Sequence, residues 1–402
     1  MAGPLAGIRV LELTTGAAGP TVGKLLREFG AEVVRVESRA RPDVHRTESP
    51  ARWNVRPDFH KLHRGKKSLT VNMRTEKGRA LVQRLAPQCD VVVENYGLGV
   101  LENWGLAYDQ LKALRPDIIL VRVKGMGSTG PHAADVTWGP NIGNILGITH
   151  LWNYADSELV TAEARSQHPD FLGGVTAAYC VVLALMHRAA TGEGQWLDSG
   201  QLDIGAALMG PLYLQYLVNG QEPQPAGNHS ETAAPYGGYR CKGDDHWLVL
   251  GVSSDAEWAA LCGLLGEPER AAAGSPFATH VGRVRHKAAV DAWIEAWTQQ
   301  HEPHEAMRLL QEAGVMAAAV QDVEDQFTRD PQLAARGFLV TIDEPEAGPI
   351  TTEGIPVRLS ETPGAIEGHA PLMGEHTAQV ARELLGLSER EIRDLEGEQV
   401  LY

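Results

Sequence analysis

Cysteine is scarce in this chain: four residues in 402, Cys89, Cys180, Cys241 and Cys262, none of them in a CxxC pair. That spacing excludes the usual zinc and dithiol motifs and predicts reduced thiols held mostly in the core. Positive charge is also in short supply. Thirty-six Lys and Arg stand against fifty-one Asp and Glu, a net −15, which argues against a nucleic-acid surface. The one basic cluster, HKLHRGKK at 60–67, suits a phosphorylated small molecule better than a polyanion. The histidine pairs His60/His63 and His301/His304 offer little for metal. The second pair reads HEPH, without the two-residue spacer after Glu that a helical zinc site needs, so no metal is expected.

Long apolar runs are lacking too. The longest, Phe171–Met186, is interrupted by Gly173, Gly174, Thr176 and Tyr179. It falls short of the roughly 18 residues of a membrane span and predicts a buried helix. The opening MAGPLAGIRVLELTT has no basic region followed by a continuous apolar stretch. No signal peptide and a cytoplasmic location are therefore expected.

What is present is an alternation of strands and helices. IRVLEL (8–13), the turn TTGAAGP, the helical TVGKLLREFG with Pro20 at a first helical position, and AEVVRVE (31–37) form a βαβ unit. LTVNM, a helix over TEKGRALVQRLAPQ, and the strands CDVVVENYG (89–97) and DIILVRVKG (117–125) continue it, which predicts a doubly wound parallel sheet. Ligands of such sheets bind at the strands' carboxyl ends, here the loops after Leu13, after Val36, around Asn95 and around Lys124. Residues 1–200 are read as the large domain, 201–224 as a linker and 225–330 as a smaller α+β domain. That smaller domain opens with a hairpin over YRCKGDDHWLVLGV. Residues 331–402 are read as a return linker and C-terminal helices completing the large domain.

Three groups carry candidate chemistry. The turn Gly16-Ala17-Ala18-Gly19-Pro20, with Gly23 beyond it and Glu37 ending the second strand, invites a dinucleotide reading. It does not match G-x-G-x-x-G, and Pro20 removes an amide that would help bind pyrophosphate. Asp170 precedes the run FLGGVTAAYCVVLALMHR and reads by pattern as a helix N-cap; the alternative is a nucleophile kept ionised by the helix dipole. Gly173 and Gly174 would leave room for a bulky ligand. Trp138, Trp152 and Tyr154 read either as core aromatics or as a cage lining a substrate pocket.

Taken in order, PLAGIRVLELTTGAAGP, LLREFGAEVVRVE, DVVVENYGLGVLENWGL, LRPDIILVRVKGMGSTGP, DFLGG, TGEGQWLDSGQLD, APYGGYRCKGDDHWLVLGV and PLMGEHTAQVARELLGLSEREIRDL resemble the family III CoA-transferases. That group includes formyl-CoA and carnitine CoA-transferases and α-methylacyl-CoA racemases, and the likeness spans nearly the whole chain. The resemblance implies an α/β fold: a Rossmann-like doubly wound large domain built from both chain ends, a smaller α+β domain, and an interlocked homodimer. It implies Asp170 as the nucleophile that moves CoA from an acyl-CoA thioester to a carboxylic acid. It also implies CoA binding along Ala17, Ala18, Arg39, Arg74, Asn95, Tyr96, Gly97 and Thr137, with Trp138 in the active-site loop. Acyl-CoA is then a substrate, with no metal or redox cofactor, no nucleic acid and no membrane. Some relatives carry Gln where Ala17 stands, and the glycine-run loop of the formyl-CoA branch is missing. A racemase needs a His–Asp acid/base pair. Its His position falls here at Trp138 or Gly139, with His132, His150 and His168 near but elsewhere. Racemase activity, or CoA binding without turnover, is the alternative.

Overall fold

Short runs of Val, Leu and Ile with helices between them fold as parallel strands, because only a crossover helix returns the chain to the same sheet edge. The computed structural model describes residues 3–46, 49, 52–154, 167–228, 230 and 232–402. The chain divides into two compact units, one of Met1–Thr149, Ala162–Glu222 and Gln332–Tyr402, the other of His150–Thr161 and Pro223–Pro331.

The first unit runs β1 (Arg9–Leu13), α1 (Ala18–Glu28), β2 (Glu32–Glu37), α2 (Pro57–His63), β3 (Lys67–Thr70) and α3 (Glu76–Leu85). It continues with β4 (Val91–Glu94), α4 (Val100–Asn103), α5 (Tyr108–Leu114), β5 (Ile119–Lys124), α6 (Gly139–Ile145) and the short α7 (Ile148–Leu151) that leads out of the unit. The chain re-enters it at α8 (His168–Thr191), β6 (Trp196–Gly200), α9 (Gln201–Leu208) and α10 (Gly210–Asn219). Six strands pair in the order β3-β2-β1-β4-β5-β6, every pairing parallel. The order reverses between β1 and β4, which is where open sheets of this kind part their loops into a cleft.

Side chains alternate across the sheet. Leu11, Val34, Val92 and Leu120 face α3 and α5, while Val10, Val33, Val91 and Ile119 face α1 and α8. Sequence reasoning did not include β6. It is an edge strand, WLDSG, with only its last residue buried, so it lacks the apolar run that marks a central strand.

Beneath the strand ends lies a buried ionic cluster. Glu12, wholly buried, accepts from Arg35 Nη1 at 2.8 Å and Lys66 Nζ at 2.7 Å. Arg35 also reaches Asp43 at 2.5 Å, which ties the loop after β2 to the sheet. Removing one member leaves its partners charged and desolvated. Glu12→Gln is therefore expected to cost about 3–5 kcal/mol, measured as a lower urea midpoint at unchanged slope. An unchanged midpoint would show that Arg35 and Lys66 do not depend on it.

Two expectations change here. Residues 201–219, read as linker, form α9 and α10. Leu, Ile, Val and Tyr dominate them, and the polar Gly/Pro-rich stretch begins only after Asn219. The segment read as a buried helix is longer, 24 residues containing an 18-residue stretch of mean hydropathy 1.6, enough by length and composition to span a bilayer, and it is buried on one face only. Its inner face, Ala177, Ala178, Val181 and Ala184, packs into the core against α1, while Tyr179, Val182, Leu183 and Met186 are exposed. Leu214, Leu217 and Val218 of α10 are exposed as well.

The second unit holds β7 (Tyr236–Arg240), β8 (Trp247–Gly251), α11 (Asp255–Leu264), α12 (His280–Arg285), α13 (Lys287–Thr298), α14 (Pro303–Glu312), β9 (Met316–Ala319) and α15 (Val323–Thr328). β7 and β8 form the expected antiparallel hairpin across Gly243–Asp245, and β9 adds to β8. Trp258, Leu261, Val290, Ile294 and Leu310 fill its core. After α16 (Pro331–Ala335), the hairpin of β10 (Leu339–Glu344) and β11 (Gly348–Glu353) leads to α17 (Thr377–Glu383) and α18 (Glu389–Gly397). Val380 and Ile392 join the sheet core of the first unit.

Candidate active site

The loops at the carboxyl ends of β1 to β5 enclose a cavity of about 780 Å³ within the first unit. β1 contributes Thr14–Ala17, β2 the loop carrying Arg41 and Asp43, β3 Asn72–Arg74, β4 Asn95–Leu98, and β5 Gly125, Thr137 and Trp138. Asp170 and Gln201 close the wall. Sidedness is thus set by the parallel sheet, which places every strand's carboxyl end at one edge.

Two of these loops are pinned to each other. Asn95 accepts from the Thr15 amide at 2.9 Å and donates to the Thr15 carbonyl at 2.8 Å. Its side chain is spent on holding the β1 loop rather than offered to the cavity. Tyr96 packs edge-on against Trp104 at 5.3 Å, and burial pushes its phenol up to about 12. Lys124 sits 2.8 Å from Glu94 and donates to the Tyr96 carbonyl.

Asp170 is the third residue of α8, after Gln167 at the N-cap and Pro169 in the first turn. It is therefore not the cap. The helix begins three residues earlier than a cap at Asp170 would place it, because proline, lacking an amide proton, fits the first turn. The carboxylate is half-buried and accepts from the Gln201 side chain and the Gly139 amide. Burial raises its pKa from an ordinary 3.8 to about 6, against the lowering by those two donors. Desolvation outweighs hydrogen bonding here, yet the group remains mostly ionised at neutral pH.

Gly139 makes this possible. A Cβ there would stand 3.0 Å from Asp170 Cγ and closer still to Oδ2. Gly173 and Gly174, expected to give a ligand room, are filled from within. A Cβ on Gly173 would lie 2.9 Å from Gln201 Cγ, and one on Gly174 2.7 Å from the Ala18 carbonyl. The glycines let α1 and Gln201 close on α8.

The structure brings Ala17, Arg74, Asn95, Tyr96, Gly97, Thr137, Trp138 and Asp170 to one cavity. It does not bring Ala18, which is 2% exposed and packs in the core below the loop. Arg39 also lies outside the lining, with its guanidinium 5.7 Å from the Tyr402 ring. Arg41, two residues on, lines the cavity instead, because the loop turns back where Asp43 meets Arg35. Trp152 and Tyr154 belong to the second unit, where Asn228 donates to the Tyr154 hydroxyl at 2.9 Å. Sequence reasoning missed Arg41, Arg79 and Gln201 as site residues, and marked Lys124 and Gly139 only by position, one at a strand end and the other beside Trp138. Arg41 and Lys124 carried a signal as basic residues, one in the loop after β2 and the other closing β5.

No group of three or more His, Cys, Asp or Glu that could hold a metal occurs among the described residues. Of the lining residues, His45 is buried 3.6 Å from Asp43. His132 and His168 are not in the wall.

The chain matches CoA-transferase family III over residues 5–377. It is 34% identical over 400 residues to succinyl-CoA–D-citramalate CoA-transferase of Chloroflexus aurantiacus, covering 99% of this chain and 98% of that protein. It is 32% identical over 393 residues to succinate–glutarate CoA-transferase of Agrobacterium fabrum, covering 95% and 96%. A solved CAIB/BAIF family protein from Brucella suis shares the fold with a TM-score of 0.86 at 33% identity, over 96% of this chain and 100% of that one. This chain is an enzyme of CoA-transferase family III.

Proposed function

We propose that Asp170 carries CoA between two carboxylic acids through a covalent aspartyl intermediate. The ionised carboxylate attacks the acyl-CoA carbonyl, forming an acyl-aspartyl anhydride and expelling CoA thiolate. The thiolate attacks the aspartyl carbonyl, giving aspartyl-CoA thioester and releasing the donor carboxylate. An acceptor carboxylate then attacks that thioester. The thiolate so freed takes the acyl group of the new anhydride, giving the product acyl-CoA and free Asp170. Every step is an acyl transfer, with no net proton and no redox change.

The observation that carries this reading is a half-buried carboxylate in the cavity wall, aligned by one amide and one neutral side chain. Held in this way, it faces the cavity, and no cation among its described hydrogen-bond partners blunts its nucleophilicity. For CoA, Ala17, Arg74, Tyr96, Gly97 and Thr137 wall the channel, joined by Arg41 and Arg79. The strand order supports a Rossmann-like large domain. The exposed apolar face of Tyr179, Val182, Leu183 and Met186 suits burial in a homodimer, interlocked as the family resemblance implies, better than exposure to water. The net charge of −15 fits a cytoplasmic enzyme of small-molecule acyl-CoA.

Intact-protein mass spectrometry after mixing with a panel of acyl-CoAs tests the intermediate. A hydroxylamine-sensitive CoA adduct, mapped to the peptide containing Asp170 and lost in Asp170→Ala, is expected. Tight CoA binding with no adduct from any donor would overturn the reading.

A further inference from the structure

Positive charge in the cavity is unevenly distributed. Of the cations in its wall, Arg35 is matched by Glu12 and Asp43, and Lys124 by Glu94. Arg41, Arg74 and Arg79 have no carboxylate partner among the described residues; Arg79 donates only to the Met73 and Arg74 carbonyls. All three follow β2 or β3, at one end of the sheet. CoA brings a diphosphate and a 3′-phosphate, and unpaired guanidiniums are what such groups recruit.

The Asp170 end is different. Gly139 and Gln201 act on the carboxylate, and both are neutral. Trp138 precedes Gly139 and stands 55% exposed in the cavity wall. A Cβ on Gly16 would lie 3.8 Å from the Trp138 ring and 3.9 Å from Val44, so these three residues form one apolar wall. Among the described residues, the only Lys or Arg lining the β4–β5 side is Lys124, already bound to Glu94.

Resting on the transferase reading above, we propose that this enzyme's acyl groups are monocarboxylic acids with an apolar branched or aryl body lying on Trp138, not dicarboxylates. Among the described residues, a second carboxylate on the acyl chain would meet the apolar wall and the charge of Asp170 with no unpaired cation beside it. Desolvation and like-charge repulsion then both oppose it. A flat apolar body instead covers the exposed indole.

The test compares isovaleryl-CoA and phenylacetyl-CoA with succinyl-CoA and glutaryl-CoA as donors, at fixed acetate acceptor, in wild type and Trp138→Ala. Wild type is expected to favour the apolar donors by about tenfold or more in kcat/KM. Trp138→Ala should narrow that gap by raising KM for the apolar donors. Equal or better use of the dicarboxylyl donors, or an unchanged preference in Trp138→Ala, overturns this assignment while the Asp170 adduct still forms. Absence of the adduct with every donor overturns the transferase reading itself, and this assignment with it.

Discussion

Replacing Asp170 by Asn is expected to lower CoA transfer on the order of 10⁴-fold or more while raising thermal stability at neutral pH. The loss follows from removing the proposed nucleophile, since an amide cannot form the anhydride. The gain follows from burial. Asp170 titrates near 6 in the fold and near 3.8 when exposed, so between those values the native state keeps a proton that the unfolded chain has released. Stability therefore falls as pH rises through that window, and at pH 7 the ionised carboxylate is a net cost. The full difference corresponds to about 3 kcal/mol, and partial solvation reduces the expected gain to about 1–2 kcal/mol. Differential scanning calorimetry should show wild type and Asp170→Asn melting close together near pH 4. At pH 7 the variant should melt about 2–5 °C higher. The same titration predicts that wild-type kcat/KM falls about tenfold per pH unit below 6. A variant less stable than wild type at pH 7 would mean that Asp170 anchors the fold rather than burdening it.

Gly139→Ala is expected to reduce kcat by about 10²–10³-fold with little effect on the KM for CoA. The added methyl must displace the Asp170 carboxylate, and the Gly139 amide then no longer aligns it. A misplacement of this kind removes both near-attack geometry and a charge-directed donor. Arg41, Arg74 and Arg79, proposed above to meet the phosphates, lie on the loops after β2 and β3 and on α3, away from Gly139, which is why KM is expected to be spared. In an Asp170→Ala background the same substitution should have almost no further effect on stability, because the colliding group is gone. That non-additivity is the signature of direct contact. Full kcat in Gly139→Ala would show that the carboxylate is positioned by other groups.

Much of the architecture is written locally. The Val-rich runs at Glu32–Glu37, Val91–Glu94 and Ile119–Lys124 are buried on both faces, and such strands announce a covered parallel sheet by composition alone. With that sheet comes the side on which ligands must bind, and eight of the residues read as site residues do meet in one cavity there. Asp170, too, was visible as a carboxylate at a helix start.

What it does there was not visible. An Asp in a first turn looks the same whether it caps, faces solvent or points into a pocket. The distinction rests on Gly139 and Gln201, each about thirty residues away and brought to it only by folding. The exchange of Arg39 for Arg41 has the same origin: a buried Asp43–Arg35 pair bends the loop, and a shift of two residues reverses which arginine faces the cavity. Trp152 and Tyr154, close to Asp170 in the chain, went to the other unit. Sequence by itself determined the five buried strands β1 to β5, their parallel pairing through crossover helices and the sheet edge at which folds of this kind take ligands. Which side chains converge, and how strongly the Asp170 charge is desolvated, was decided only by tertiary packing, because burial and long-range contact are properties of neighbours that local sequence does not contain.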